Sequence, residues 1–277
     1  MPISIFRRKE LFQGLTILVL SSDPYQPILK VWEKYFLKNW PDCPFDVISV
    51  CNHSHFNSNT IKFVKTGIEI KEDASHFKPM LLEAFKFINT RYILYMCEDQ
   101  IINLPVNTEN FLHLIGYMSE FNIVKTRCVS MPSPDRDIIY ERSFINKQNF
   151  GFIDEKNEYR NSLQAAVWYA PCFEELLLSL PGQFSGWVFE TNECLRNYSS
   201  KYIYMGCKHG KGGTFLDRYD GMGDSPLLNY VELVRWGKFD RLYIEYFREM
   251  FAKDNFSVDT PEYEKFGAGK PLEWFPE

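Results

Sequence analysis

The chain has 277 residues, 45% of them hydrophobic and 17% aromatic, and a formal charge of −5 at pH 7. A chain of this size and hydrophobicity buries a sizeable core in one or two domains, and its acidic balance argues against broad attraction to nucleic acid or to anionic surfaces. Its seven cysteines form no CxxC pair, no basic-apolar-small leader opens it, and no apolar run approaches the roughly 20 residues of a membrane helix, so it reads as a cytoplasmic protein with reduced thiols and no transmembrane segment.

Residues 1–14 read as a mobile N-terminal tail. Arg7, Arg8 and Lys9 among Ile3, Ile5, Phe6 and Phe12 give it a second reading, a peripheral contact with an anionic membrane face. "LTILVLSS" (15–22) is the first predicted strand. It is followed by a helix in "QPILKVWEKYFLKNW", where Ile28, Leu29, Trp32, Tyr35, Phe36 and Trp40 recur at near-helical spacing. "FDVISVCN" (45–52) and "IKFVKTG" are the next strands. "SHFKPMLLEAFKFI" then sets Phe77, Met80, Leu81, Ala84, Phe85 and Ile88 on one helical face. "YILYMCEDQIIN" (92–103) is a buried strand that breaks at Glu98, Asp99 and Gln100.

Strands alternating with helices predict an α/β fold with a mostly parallel central sheet, in which ligands sit beyond the carboxyl ends of the strands. Ser21, Ser22, Asp23 and Tyr25 stand at one such end, and Glu98 and Asp99 at another. Two acids at a strand exit are either a solvated turn or a site able to hold a divalent cation against a diphosphate.

Further on, "LQAAVWY" reads as a strand or strand-like entry and "CFEELLLSL" as a helix. A turn at Pro181 and Gly182 follows, then an aromatic stretch leading to Glu190 and the helix "TNECLRNY". The series "ILVLSSDPY", "YILYMCEDQ", "LQAAVWY" and "SGWVFE", with the late "NYVELVRWGKF", resembles glycosyltransferases of the GT-A type that build bacterial capsule and lipopolysaccharide sugars, and their viral relatives. The resemblance covers roughly residues 15 to 240. It implies one GT-A-like (Rossmann-like) domain over 15–240 with a C-terminal helical extension over 241–277. The function it implies is transfer of a sugar from a nucleotide-sugar donor to a carbohydrate acceptor.

The resemblance also assigns roles. Ser21, Ser22, Asp23 and Tyr25 would meet the nucleoside, joined in donor binding by Lys78, Glu98 and Asp99. Gln164, Trp168 and Trp187 would meet the sugars. Glu190 would be the base of an inverting reaction, where a carboxylate takes the acceptor proton; its alternative is a plain helix cap. The Asp-x-Asp metal motif of the family is replaced here by Cys97-Glu98-Asp99-Gln100. Two readings follow. Asp99, with His209 as a late histidine ligand, holds Mn²⁺ or Mg²⁺; or Lys208 and Lys211, in the Gly-rich "GCKHGKGGTF", neutralise the diphosphate without metal. Core packing remains the alternative for Trp168, and a flexible turn for the Gly-rich loop.

Two other functions stay open at this point. One is a sugar nucleotidyltransferase, against which stands the absence of a Gly-rich segment with Arg and Lys after the first strand. The other is a non-catalytic carbohydrate-binding or assembly protein that kept the fold.

Overall fold

The computed structural model describes residues 12–130, 133–210, 223–235, 238–239, 249 and 252–254. Strands β1 (Phe12–Leu20), β2 (Asp46–Cys51), β3 (Ile61–Lys65), β4 (Thr90–Cys97), β5 (Gln100–Ile102), β6 (Ile123–Arg127), β7 (Arg136–Asp137), β8 (Phe150–Ile153), β9 (Ala166–Tyr169), β10 (Ile203–Cys207) and β11 (Tyr230–Glu232) accompany helices α1 (Gln26–Asn39), α2 (Phe77–Phe85), α3 (Thr108–Glu120), α4 (Ala170–Ser179), α5 (Gly186–Thr191) and α6 (Glu193–Ser199). β1 thus begins within the segment expected to be a tail. Residues 1–11 and most of the expected C-terminal extension lie outside the described residues.

Nine strands form one sheet in the order β3-β2-β1-β4-β9-β6-β10-β8-β7. β1, β2, β3 and β4 pair in parallel, as do β6 and β10. β9 is antiparallel to both β4 and β6, and β8 to both β10 and β7. Seven strands therefore run one way and two against them, a mixed and mostly parallel α/β sheet flanked by helices. β5 and β11 form a separate antiparallel ribbon at the end of β4.

The apolar runs of β1 and β4 are continuous because both sheet faces are covered, and successive side chains enter opposite cores. Leu15, Ile17 and Val19, with Tyr92, Leu94 and Met96, pack under α1 and α3. Leu18, Ile93 and Tyr95 pack under α2 and α4. On the first face, Trp32 stacks on Phe36 within α1, and Trp40, just past the end of α1, joins it to α3 by stacking on Phe111 with centroids 4.8 Å apart. α3 starts at Asn107, whose side chain accepts from the Glu109 amide at 2.9 Å. Just beyond its last turn stands Asn122 at φ 53°, a left-handed position that Asn tolerates, and β6 follows at once.

Trp168 belongs to the second core rather than to any ligand surface. It is fully buried on β9, stacked on Phe173 at 4.7 Å, with Phe189 and Tyr204 edge-on to it. A ring enclosed on these sides has no face left for a sugar, so the substrate-binding expectation for Trp168 is corrected to packing.

Candidate functional site

Parallel pairing of β1 and β4 in the register Leu20↔Cys97 brings their two exits side by side. The Glu98 amide donates to the Leu20 carbonyl at 3.2 Å, so Ser21 and Ser22 leave the sheet next to Glu98 and Asp99. A short 3-10 turn, Asp23–Tyr25, then redirects the chain into α1, helped by Pro24 and Pro27 near the two helix starts, where a missing N–H costs nothing. Between the two exits lies a cleft of about 290 Å³, lined by Ser21, Ser22, Tyr25, His76, Glu98 and Asp99. Phe77, Met80 and Gly186 close it from the α2 side.

The two acids have no ion pair with a basic side chain among the described residues. Burial lifts the Glu98 carboxyl to about 8, and burial together with the Glu98 charge lifts Asp99 well above the usual carboxylate range. The Tyr25 phenol is pushed up to about 12 by burial and by the fields of both acids, which places it beside them. Two carboxylates crowded in this way are relieved by a shared proton or a bound cation. Among the described residues no group of three or more His, Cys, Asp or Glu is placed to hold a metal, so a cation here would take two protein ligands and complete its shell from a diphosphate and water. The residues present fit that role.

Asp23 has another duty. Its Oδ1 accepts from the Asn52 and His53 amides at 2.8 and 3.1 Å, and its Oδ2 from the His53 and Ser54 amides at 3.0 and 3.1 Å. The Asp23 amide in turn donates to Asn52 Oδ1 at 3.0 Å. Both carboxylate oxygens are therefore committed to the turn after β2, and the expected contact with a ribose or base becomes a strut holding residues 52–54 beside the cleft.

Glu190 sits one turn into α5, whose first residue, Gly186, lines the cleft. Ser185 caps this helix through the Val188 amide. A Cβ at position 186 would press on Leu163 at 3.1 Å and Phe77 at 3.4 Å, so the helix start approaches its neighbours as closely as it does because it is glycine. Glu190 Oε1 accepts a hydrogen bond from the Leu163 amide. Burial raises its carboxyl, against the lowering effect of that amide, of Lys125 and of Ser162. The buried Tyr95 phenol feels both Glu98 and Glu190, so both acids lie within electrostatic reach of it.

Other expected site residues are held elsewhere. The Lys78 ammonium donates to the Leu180 carbonyl at 2.5 Å and lies over the Phe184 ring, so it braces the 180–184 turn rather than entering the cleft. Gln164 accepts from the Tyr230 hydroxyl and donates to Glu232 Oε1 at 3.2 Å, tying β11 to the entry of β9 instead of facing the cleft. Lys208 is paired with Asp137 and donates to the Lys147 carbonyl at 2.7 Å at the β7–β8 edge. His209 bonds the Gln148 carbonyl at 2.9 Å, just past β10, which stands three strand positions from β4, roughly 14 Å across the sheet. The phosphate role of Lys208 and the metal role of His209 are not supported by these placements. Lys211 lies outside the described residues. Trp187 is 64% exposed on α5, on the helix that borders the cleft. His76 went unrecognised in the sequence, where it shows no metal spacing; its place on the cleft comes from its position just before α2, which packs on the sheet at β2.

No protein-family model matches the sequence, and no curated protein matches it. Solved structures do resemble it, among them glycosyltransferases. TarS of S. aureus (residues 1–349), in complex with UDP-GlcNAc, is 13% identical with a TM-score of 0.48, over 82% of this chain and 60% of that one. The galactosyltransferase LgtC, in complex with donor and acceptor sugar analogs, is 10% identical with a TM-score of 0.44, over 90% and 98%. The mannosyltransferase PcManGT from Pyrobaculum calidifontis, with GDP-Man and Mn²⁺, is 12% identical with a TM-score of 0.45, over 91% and 67%. The chain spans about 60% of the length of the TarS 1–349 structure. A likeness of this degree is one of general architecture and carries no residue-level inference.

Proposed function

We propose that the chain transfers a sugar from a nucleotide-sugar donor to a hydroxyl of a carbohydrate acceptor, with inversion at the anomeric centre. The observation that carries this reading is the cleft where β1 and β4 end, with Glu98 and Asp99 crowded together and no basic side chain among the described residues paired to them. In an α/β sheet this edge is where ligands bind, and an uncompensated carboxylate pair suits a cation that travels with a diphosphate.

In this reading Ser21, Ser22 and Tyr25 take the nucleoside, Tyr25 offering a ring face and the serines offering hydroxyls. Glu98 and Asp99 would hold a divalent cation, which supplies positive charge against the departing diphosphate. Glu190 accepts the proton of the attacking hydroxyl; burial raises its carboxyl and so makes the carboxylate a stronger base. Trp187, exposed next to the cleft-lining Gly186 on α5, provides a flat surface for an acceptor sugar.

The test is Glu190→Gln. It preserves shape and can still accept from the Leu163 amide but loses the basic oxygen, so transfer should fall by about two to four orders of magnitude while donor affinity stays near normal. A folded variant with an almost unchanged rate would remove the base assignment. The non-catalytic reading draws on the altered metal motif. It would be favoured if the wild-type protein binds glycans yet neither binds nor hydrolyses UDP, GDP or CMP sugars.

A further inference from the structure

Lys125 is a fully buried lysine on β6, and the proposed reaction gives it no part. Its ammonium donates to the Arg160 carbonyl at 2.8 Å and the Ser162 carbonyl at 2.6 Å. It also lies 4.3 Å from the centre of the Trp168 ring and 5.5 Å from that of Tyr204. Two carbonyl oxygens and two aromatic rings solvate an ammonium better than a neutral amine.

The amide of Leu163, in the same short segment, points to Glu190 Oε1, and the Ser162 side chain bonds the same carboxylate. Residues 160–163 are thus gripped by the Lys125 amine through their carbonyls and by the Glu190 carboxyl through an amide. Burial alone would favour the neutral form of each partner, so each charge makes the other less costly to keep. Burial, with Arg127 and Arg160 adding to it, pushes the Lys125 ammonium well below its usual range, and Glu190 is the carboxylate that supports its charge, with Cys172 a smaller help. The Tyr95 phenol on β4 lies within electrostatic reach of Glu190.

We propose that Lys125 is the positioning residue for Glu190: through the 160–163 segment and through its own charge, it holds the Glu190 carboxylate in place and ionised. The catalytic part of this inference rests on Glu190 being the proton acceptor; the coupling between the two side chains does not. Without the Lys125 charge, the buried Glu190 carboxyl keeps its proton to higher pH and is unavailable as a base over that range.

The experiment is a ¹³C NMR titration of the glutamate side-chain carboxyl carbons, with Glu190 assigned by its loss in Glu190→Gln, in the wild type and in Lys125→Met. The Glu190 midpoint should rise by about one pH unit or more in Lys125→Met. The rising limb of the rate-against-pH curve with a UDP, GDP or CMP sugar should move with it. A folded Lys125→Met with an unshifted Glu190 midpoint overturns the proposal. If that variant does not fold, the reciprocal measurement serves: the ¹⁵Nζ midpoint of Lys125 should fall in Glu190→Gln, and an unchanged midpoint overturns the proposal equally. Coupling found together with a fully active Glu190→Gln keeps the pairing and removes the base. Coupling absent with an inactive Glu190→Gln keeps the base and removes Lys125.

Discussion

Glu98 and Asp99 are the residues on which pH acts most directly. An acid whose carboxyl is raised by folding favours the folded state only while it stays protonated. For Glu98 the stability cost therefore begins as pH passes the ordinary value of 4.5 and is complete once pH passes about 8, and Asp99 adds to it in the same direction. Glu98→Gln should raise the thermal midpoint at pH 8 and leave it nearly unchanged at pH 4. Added Mn²⁺ or Mg²⁺ should likewise raise the wild-type midpoint more at pH 8 than at pH 5, because protons compete for the same oxygens. Scanning calorimetry at the two pH values checks both, and equal effects at pH 4 and pH 8 for Glu98→Gln would mean that the carboxylate is not under strain.

The turn after β2 depends at the scale of the element on one side chain. Asp23 accepts the amides of Asn52, His53 and Ser54, and Asn52 donates onward to the Ile68 carbonyl at 2.6 Å. Asp23→Ala should release those three amides to rapid hydrogen exchange and weaken donor binding indirectly, while β1 and β2 stay protected. Protection unchanged at 52–54 would return Asp23 to the role of a free ligand.

The same element shows what a sequence can and cannot disclose. β1, β2, β4 and α1 were legible because their burial is written as unbroken apolar runs or a helical stripe. β6 was not, since "IVKTR" buries Lys125, Thr126 and Arg127 and so imitates a surface segment. The reversal of β9 between β4 and β6 has no local signal either. In the site, the two strand exits could be read from the place where apolarity stops. The commitments of Asp23, Lys78, Gln164 and Lys208 could not, because their partners lie 29 to 102 residues away in sequence and meet only in the fold.

For the whole molecule, the two tryptophans near the expected substrate separate packing from function. Trp168 joins β9 to α4 and α5 within the second core, so Trp168→Ala should cost about 3–5 kcal/mol of stability, and Trp168→Phe should recover part of it with donor affinity unchanged. Trp187 is exposed, so Trp187→Ala should alter stability by no more than about 0.5 kcal/mol and raise the KM for the acceptor. Denaturant melts read against steady-state kinetics check the pair. A destabilised Trp187→Ala with normal acceptor KM would reverse the assignment of the exposed ring.

The expectations about donor and cation depend on the cleft between β1 and β4 being the donor site. Amide NMR perturbation mapping of the ¹⁵N-labelled chain, titrated in turn with UDP, GDP and CMP sugars with and without Mn²⁺, tests that most directly. The account predicts saturable shifts from one of these donors at Ser21, Ser22, Tyr25, Glu98 and Asp99, strengthened by the cation. Shifts confined to other surfaces, or none from any donor, would contradict it.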